Sequence, residues 1–339
     1  MKNMKKILTL LLAMAMVLSF VGCGKKADNA SENNTNPMTN VEPTSEPTTE
    51  PTTEPTTEPT KVTVDSVSYP LTIKDSNGTE VTFESEPKKV ISVAPNISEL
   101  IYAIGAGDRL VGRTDYCDYP ADVLNVESIG TLRTPDMEKI ISLEPDVVIA
   151  STHFLEESEK QLTDLGIKVV VLYEEHDVTG VYTMIETLGD IFNLKENATN
   201  VVNEMKATIE EASTVVKDLE APSVYYVVGF GEGGDYTAGG DTFISQLITL
   251  AGGKNIAEEV SGWSYSLESL MEADPDIIVL PDYYKDGFMT ADNYKELSAV
   301  KNGKVFVIDT NLLDRQGNRN AEGVKELAKI FHPEAFENK

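Results

Sequence analysis

The stretch NATNVVNEMKATIEEASTVVKDL, residues 197–219, decides the architecture of this chain. It contains no glycine and no proline, and its apolar residues recur at helical spacing. That periodicity predicts one uninterrupted helix, about 33 Å long at 1.5 Å per residue. A helix of that length is a stiff link between two lobes, so we expect only a small closing motion between them.

Short runs rich in β-branched residues alternate with helical patterns on both sides of this helix. They lie at 89–94, 110–114, 146–150 and 168–172 before it, and at 224–228, 276–280 and 304–308 after it. Such alternation indicates mostly parallel sheets covered by helices. The sequence therefore predicts an α/β protein with an N-terminal lobe at 62–196 and a C-terminal lobe at 220–339.

A repeated unit relates the two lobes. Residues 134–149 (TPDMEKIISLEPDVVI) align with residues 264–279 (SYSLESLMEADPDIIV) at a constant offset of 130. Each copy has the pattern of a short capped helix, a Pro-Asp turn and a buried strand. Since each lobe carries the unit once, we predict that the lobes are structural counterparts with a ligand site between them.

The helix that follows the first parallel strand has a recognisable start and stop. Asn96 and Glu99 have the spacing of a capping box, and Gly105 is placed to end the helix. The apolar residues between them recur on one face: Ile97, Leu100, Ile101 and Ile104. The sequence therefore predicts a helix that packs this face against the N-terminal sheet.

Composition limits the partners of the chain. Its 339 residues include 28 Lys and Arg against 56 Asp and Glu, for a formal net charge of −28. That balance argues against a surface that follows nucleic-acid phosphates. The two cysteines, Cys23 and Cys117, provide no intramolecular disulfide framework if Cys23 is modified as argued next.

The first 61 residues predict export and anchoring. Residues 1–22 combine lysines with an apolar run that is too short to span a bilayer, the pattern of a secretory signal. The ending Gly22-Cys23 resembles the bacterial lipoprotein signal, which implies lipidation of Cys23; the alternative is an ordinary signal peptide with an incidental cysteine. Residues 23–61, rich in Pro, Thr and Glu, predict an extended tether. We therefore expect an extracytoplasmic protein, lipid-anchored to the outer face of the cell membrane.

Motifs in chain order resemble one family over about residues 70–333. They are ISVAPNISEL at 91–100, AGDRLVG at 106–112, TDYCDYP at 114–120, MEKI at 137–140, YTAG at 236–239, LAGGKNI at 250–256 and SLE at 266–268. Together they resemble the substrate-binding proteins of iron-siderophore, haem and cobalamin ABC importers. The resemblance implies two lobes bridged by one helix, a captured metal chelate, and delivery to a membrane permease and ATPase. It also implies a monomer that is not an enzyme and has no resident cofactor or protein-held metal.

Within that family the chain looks most like the cobalamin and corrinoid binders, through DYCDYP at 115–120 and GWS at 262–264. This resemblance implies a ligand held between aromatic side chains of both lobes, here Tyr116, Tyr236 and Trp263. A ferric siderophore or haem is the alternative ligand.

The cobalamin binder has a tryptophan soon after the Pro-Asp strand, where this chain has Ser151-Thr152-His153-Phe154. His153 and Phe154 are therefore added as candidate ligand contacts. Arg315 is a further candidate, because a guanidinium binds anionic groups well. An ion pair within this acidic chain is the other interpretation of Arg315.

Glu138 and Glu268 occupy matching places in the two copies of the repeat. The family resemblance implies that they contact arginines on the two halves of the permease. A carboxylate can accept two parallel hydrogen bonds from one guanidinium. The alternative is that glutamate simply favours the first turn of a helix.

Other classes of protein have weaker support. Residues 229–234 satisfy the pattern GxGxxG, but no helical pattern opens on them, so we interpret them as a loop at the cleft edge rather than a dinucleotide site. A zinc or manganese carrier would have to use His153, His176 or His332 together with acidic residues. A cell-wall adhesin would explain the tether but not the duplicated lobes.

Overall fold

A computed structural model describes residues 66–174 and 176–337. These residues form two lobes, each containing one parallel sheet of four strands flanked by helices. The α/β class and the two lobes predicted from the sequence are confirmed. The predictions for residues 1–22, for Cys23 and for the tether at 23–61 lie outside the described residues.

The strands alternate with helices along both lobes. The strands are β1 (Leu71–Lys74), β2 (Glu80–Phe83), β3 (Val90–Ser92), β4 (Leu110–Arg113), β5 (Val147–Ala150), β6 (Lys168–Val171), β7 (Ser223–Tyr226), β8 (Asp235–Tyr236), β9 (Lys254–Asn255), β10 (Ser264–Tyr265), β11 (Ile277–Leu280) and β12 (Val305–Val307). The α-helices are α1 (Pro95–Ala103), α2 (Met137–Ser142), α3 (Glu156–Asp164), α4 (Val178–Ile191), α5 (Lys195–Val216), α6 (Phe243–Leu250), α7 (Leu267–Ala273), α8 (Asp282–Thr290), α9 (Ser298–Lys301), α10 (Asn311–Asp314) and α11 (Asn320–Phe331). Within the part of the chain that the structure describes, no helix has the length and apolarity to cross a membrane.

The two parallel sheets have the same topology. The strand order is β4-β3-β5-β6 in the N-terminal lobe and β9-β7-β11-β12 in the C-terminal lobe. In each parallel sheet the chain reverses its direction of winding between the first and third strands of that sheet in chain order, β3 and β5 or β7 and β11. That reversal opens a crevice at the carboxyl ends of β3 and β5, and another at those of β7 and β11.

The repeat seen in the sequence has matching helix caps in the two lobes. The Asp136 side chain accepts a hydrogen bond from the Lys139 backbone N–H (3.0 Å) at the start of α2. The Ser266 side chain accepts one from the Ser269 N–H (2.9 Å) at the start of α7. Each cap satisfies a backbone donor that the first turn of a helix leaves without a partner.

The two copies of the repeat also enter their strands in the same way. Glu144 (φ 49°) and Asp274 (φ 38°) both adopt the left-handed backbone conformation after their helices. Asp146 then accepts a hydrogen bond from the backbone N–H just before β3 (2.9 Å), and Asp276 accepts one from the first N–H of β7 (2.8 Å). The predicted structural equivalence of the repeat is therefore confirmed down to single hydrogen bonds.

The linking helix α5 packs against both lobes. It contacts α4 of the N-terminal lobe and α11 of the C-terminal lobe. Its buried face consists of Ala198, Val202, Met205, Ile209, Ala212 and Val216. This face belongs to a continuous apolar cluster with members in both lobes. The helix starts two residues earlier and ends three residues earlier than predicted, because the chain turns after Val216 and leaves Leu219 exposed.

The capping box predicted for α1 is wrong. The helix starts at Pro95 after the extended residue Ala94, which makes no side-chain cap. Proline favours this first helical position because its fixed φ suits the helix. Asn96 and Glu99 therefore lie inside the helix, where both are buried, and their side chains have partners in the C-terminal lobe. Gly105 (φ 83°) follows the end of the helix as predicted.

Candidate functional site

A cavity of about 1070 Å³ lies between the two lobes, at the carboxyl edges of their parallel sheets. The N-terminal lobe lines it with segments that follow β3, β4, β5 and β6. The C-terminal lobe lines it with segments that follow β7, β8 and β12 and with the segment that precedes β10. The volume suits a large organic ligand, since pockets for small ligands measure roughly 300–1,000 Å³.

Two of the predicted aromatic contacts line this cavity from opposite lobes. Tyr116 follows β4 and is 56% exposed, and Trp263 precedes β10 and is 46% exposed. A large aromatic side chain that is half exposed beside a cavity offers its face to a ligand at little entropic cost. The structure therefore brings Tyr116 and Trp263 to one site.

The loop that carries Trp263 is held by hydrogen bonds to its backbone. The Trp263 carbonyl accepts one from the Thr237 N–H (2.9 Å). Asp241 accepts hydrogen bonds from the Ser261 hydroxyl and from the Gly262 N–H (2.7 Å), and these bonds hold the pKa of the Asp241 carboxyl below its usual value. The indole ring is thus presented by an anchored loop.

His153 and Phe154 point to different environments although they are adjacent in sequence. His153 lines the cavity, and its Nδ1 lies 2.7 Å from the Thr152 hydroxyl. The Phe154 N–H donates to the Ser151 carbonyl (3.1 Å), which closes a tight turn. This turn packs Phe154 against the apolar cluster of the N-terminal lobe instead of the cavity. Phe154 is therefore not among the residues that line the cavity, and its contact with a ligand stays a prediction.

Tyr236 also lies outside the cavity lining. It belongs to β8 and pairs with Ser264 of β10, and its hydroxyl donates to the Gly233 carbonyl (3.1 Å). Its ring covers Gly229 and Gly234, and Gly234 has φ 101°. Tyr236 is therefore not a wall of the cavity. It packs on the glycine-rich loop, which leads into β8 rather than into a helix, so the pattern GxGxxG here lacks the helix of a dinucleotide site.

Arg315 borders the cavity but is held by carboxylates of the N-terminal lobe. Its Nη1 lies 2.7 Å from Glu99 Oε1 and 2.6 Å from Asp118 Oδ1. Arg319 lies 3.4 Å from Glu99 Oε2, and its guanidinium lies over the Tyr119 ring at 4.1 Å. Glu99 is 3% exposed. Burial raises the pKa of Glu99, and the two guanidinium groups oppose that rise. In the structure Arg315 therefore forms ion pairs within the chain, as the second interpretation of this residue predicts.

A second set of hydrogen bonds joins the lobes beside this ion-pair cluster. The Gln316 side-chain amide accepts from the Glu174 N–H (3.0 Å) and donates to the Glu174 carbonyl. The Gln316 backbone carbonyl accepts a hydrogen bond from the Asn96 side-chain amide (3.3 Å). Farther along, the Gln246 side chain accepts from the Val178 N–H (2.7 Å). Sequence reasoning missed these residues, because each is an ordinary polar residue until the other lobe is placed beside it.

The remaining predicted site residues lie on the surface of the lobes. Glu138 and Glu268 are exposed second residues of α2 and α7, away from the cavity lining. Among residues 66–174 and 176–337, no group of three or more His, Cys, Asp or Glu side chains is arranged to hold a metal ion. The described residues thus offer no support for the zinc or manganese alternative.

Two lobes of equal topology, a linking helix and an interlobe cavity define a solute-binding protein of the two-lobed type. The chain belongs to the periplasmic binding protein family, whose model matches residues 90–312. It is an ABC-type substrate-binding protein, a class that binds small ligands and works with a permease and an ATPase. The family resemblance drawn from the sequence is confirmed.

Comparisons with individual proteins agree with this assignment. The chain is 36% identical over 277 residues to an uncharacterized ABC transporter substrate-binding lipoprotein, YvrC of Bacillus subtilis, covering 79% of this chain and 87% of that protein. It is 28% identical over 280 residues to a cobalamin-binding protein of Halobacterium salinarum, covering 78% and 75%. A periplasmic heme-binding protein of Pseudomonas aeruginosa shares the fold, with a TM-score of 0.67 and 24% identity over 73% of this chain and 93% of that one.

Proposed function

We propose that this protein captures a corrinoid, a cobalamin-like ligand, between its lobes and delivers it to the permease of an ABC importer. Its partners are the ligand, the permease with its ATPase, and the membrane to which lipid on Cys23 attaches it. In this proposal it acts as a monomer outside the cytoplasm. The tether at 23–61 separates the binding domain from the lipid.

The observation that carries the proposal is that Tyr116 of one lobe and Trp263 of the other line the same cavity of about 1070 Å³. A corrin is large and rigid, so aromatic faces bury much of its surface without ordering many bonds. The cavity also exposes backbone and polar side chains, which suit the amide groups of a corrinoid. The cobalamin-binding relative supports the same class of ligand.

A ferric siderophore or haem is the second candidate ligand, and His153 favours it. An imidazole at the cavity wall is a common ligand of haem iron. The segment after β5 has His153 where a tryptophan would give a corrin another stacking face.

Docking on the permease is assigned to Glu138 and Glu268. They are equivalent in the internal repeat, exposed, and carried by separate lobes. Two fixed carboxylates that meet arginines would orient the cleft over the translocation path. Such exposed charges contribute more to encounter and orientation than to affinity.

The experiment that tests the ligand is a titration of the purified protein with cyanocobalamin, dicyanocobinamide, hemin and ferrichrome. Trp263 is the sole tryptophan, so its fluorescence reports the site, and equilibrium dialysis provides an independent measure. We expect saturable binding of the corrinoids at one ligand per chain. Binding of hemin or ferrichrome alone would replace the corrinoid by the second candidate, and failure of all four to bind would overturn the proposed function.

A further inference from the structure

One segment at the carboxyl edge of the C-terminal sheet has a counterpart that lines the cavity. Residues 151–153 follow β5 and line it. At the offset of 130, residues 281–283 follow β11. The N-terminal segment turns before α3 begins at Glu156, whereas α8 begins at Asp282. The exits of the two strands match: the Ala150 carbonyl accepts from the Leu172 N–H (2.9 Å), and the Leu280 carbonyl accepts from the Ile308 N–H (3.1 Å). By the repeat, Tyr283 is therefore the third residue after β11, as His153 is the third residue after β5.

Tyr283 is unusually exposed for its size. Among the described large apolar side chains it has the highest exposure, 76%. It is the second residue of α8, beside the crevice between β7 and β11, where open α/β sheets bind ligands. A single exposed aromatic residue is ordinary on a protein surface. Its position at this crevice is what distinguishes Tyr283.

The Tyr283 ring is supported from behind by other aromatic rings. Its centroid lies 4.5 Å from that of Tyr284, and Tyr284 packs edge-on against Phe230 at 5.3 Å. Phe230 in turn packs against Phe288 at 5.1 Å, and Phe288 is fully buried. A ring braced in this way is ordered before a ligand arrives, so less entropy is lost on binding.

The Tyr283 hydroxyl also lies within electrostatic reach of the cavity wall. Burial raises the pKa of Tyr283, and so do the neighbouring Tyr284 and the carboxylate of Asp314. Asp314 lines the cavity and accepts a hydrogen bond from the Tyr226 hydroxyl (2.9 Å). Tyr283 does not itself line the cavity, so contact with Tyr283 requires a ligand that extends beyond the cavity wall at Asp314.

We propose that Tyr283 is the counterpart of His153 in the C-terminal lobe and contacts the bound ligand through its ring. The inference rests on the proposed function, because it assumes a large chelate that extends across both strand edges. Tyr283 and His153 would then touch the same molecule from opposite lobes. Such a residue selects for ligand size, since a small ligand held near one lobe would not reach both.

The test compares Tyr283→Ala, Tyr283→Phe and the exposed control Leu165→Ala in the full protein, with the four probes named above. For the probe that wild type binds, we expect Tyr283→Ala to raise the Kd about three- to tenfold, the effect of losing one aromatic contact. Tyr283→Phe and Leu165→Ala should leave the Kd within about twofold. Because His153 acts on the other side of the ligand, His153→Ala and Tyr283→Ala should have multiplicative effects.

A second measurement uses the wild-type protein and depends on no substitution. Tetranitromethane nitrates accessible tyrosines, and peptide mass spectrometry locates the product. Saturating ligand should slow nitration of Tyr283 and Tyr116 while leaving Tyr236 unchanged. Equal nitration of Tyr283 with and without ligand, or an unchanged Kd for Tyr283→Ala, would overturn the inference while the proposed function stands. Failure of wild type to bind any probe would instead overturn the proposed function, and the inference with it.

Discussion

Arg315 of the C-terminal lobe lies 2.7 Å from Glu99 of the N-terminal lobe, Nη1 to Oε1, and both side chains are largely buried. Glu99 is on α1 and Arg315 follows α10, so this ion pair joins the lobes beside the cavity. Taking both charges out of water is unfavourable unless each keeps its partner. The pair therefore links the relative position of the lobes to the stability of the whole protein.

Replacing Arg315 by alanine should lower the stability of the protein more than it weakens ligand binding. Glu99 would keep only Arg319 at 3.4 Å, and a buried carboxylate deprived of its main partner costs about 2–4 kcal/mol. Urea unfolding measures the change. Lys160→Ala is the control, because the exposed Lys160–Asp164 pair should contribute no more than about 0.5 kcal/mol. Unchanged stability with weakened ligand binding would make Arg315 a ligand contact after all.

Removing the Trp263 ring should weaken ligand binding. Trp263→Ala loses one stacking face, so we expect about 1–2 kcal/mol of lost affinity, or roughly a five- to thirtyfold rise in Kd. Equilibrium dialysis measures it, since this variant has no tryptophan fluorescence. Tyr236→Ala is the matched control, because Tyr236 lies outside the cavity lining and should leave the Kd near that of wild type. The reverse ranking would return Tyr236 to the site.

The two repeat glutamates should matter for transport and not for binding. Glu138→Ala and Glu268→Ala should each reduce ligand uptake by cells modestly, and the double variant strongly, with greater loss at higher salt. The affinity of the purified protein for ligand should not change. Glu272→Ala, also an exposed glutamate on α7, is the control and should transport normally. A loss of ligand affinity in the double variant would assign both carboxylates to the cleft.

The stability of the protein in acid should depend on Asp274. Hydrogen bonds from the Ser298 hydroxyl (2.6 Å) and N–H (2.8 Å) lower the pKa of Asp274 from 3.8. A lowered pKa means that this carboxylate stabilises the fold fully above the unfolded pKa. The contribution is lost as the pH falls through the lower folded pKa.

As the pH is lowered from about 5 to about 2, the free energy of unfolding of Asp274→Asn should therefore fall less than that of wild type. Asparagine suits the exchange, because it tolerates the left-handed conformation that Asp274 adopts. The measurement is the free energy of urea unfolding at each pH. Ser298→Ala removes one of the two donors and should fall between Asp274→Asn and wild type. Parallel pH profiles for all three proteins would contradict the assignment.

Attachment to the membrane should depend on Cys23. Cys23→Ser removes the thiol that lipid would modify, so the protein should move from the membrane fraction to the medium and lose label from radioactive fatty acid. Cys117→Ser is the control for a cysteine elsewhere, since Cys117 is buried in the N-terminal lobe. Retention of Cys23→Ser in the membrane with undiminished lipid labelling would mean that the anchor is wrong.

Sequence reasoning predicted the elements that repeat or have a regular apolar period. It missed the side-chain placements that depend on tertiary contacts. The period of residues 197–219 was enough to predict α5, and the offset of 130 was enough to predict matching strands and caps. Nothing local distinguishes His153, which lines the cavity, from Phe154, which is partly buried and packs against the apolar cluster of the N-terminal lobe. In the sequence, Glu99 fitted a local capping pattern. Its partner in the structure, Arg315, is 216 residues away, so no local pattern could reveal the pair.

The apolar cluster that continues through α5 has a consequence for unfolding. Val202 and Ile209 share that cluster with residues of both lobes. Each lobe also has a separate apolar cluster of its own, but a large part of its core is shared with the other lobe through α5. Separating the lobes would expose the buried faces of α4, α5 and α11 to water, at a cost that rises with the apolar area exposed. The lobes should therefore melt together in one cooperative transition, with equal calorimetric and van't Hoff enthalpies, and half of the molecule expressed alone should not hold its native structure.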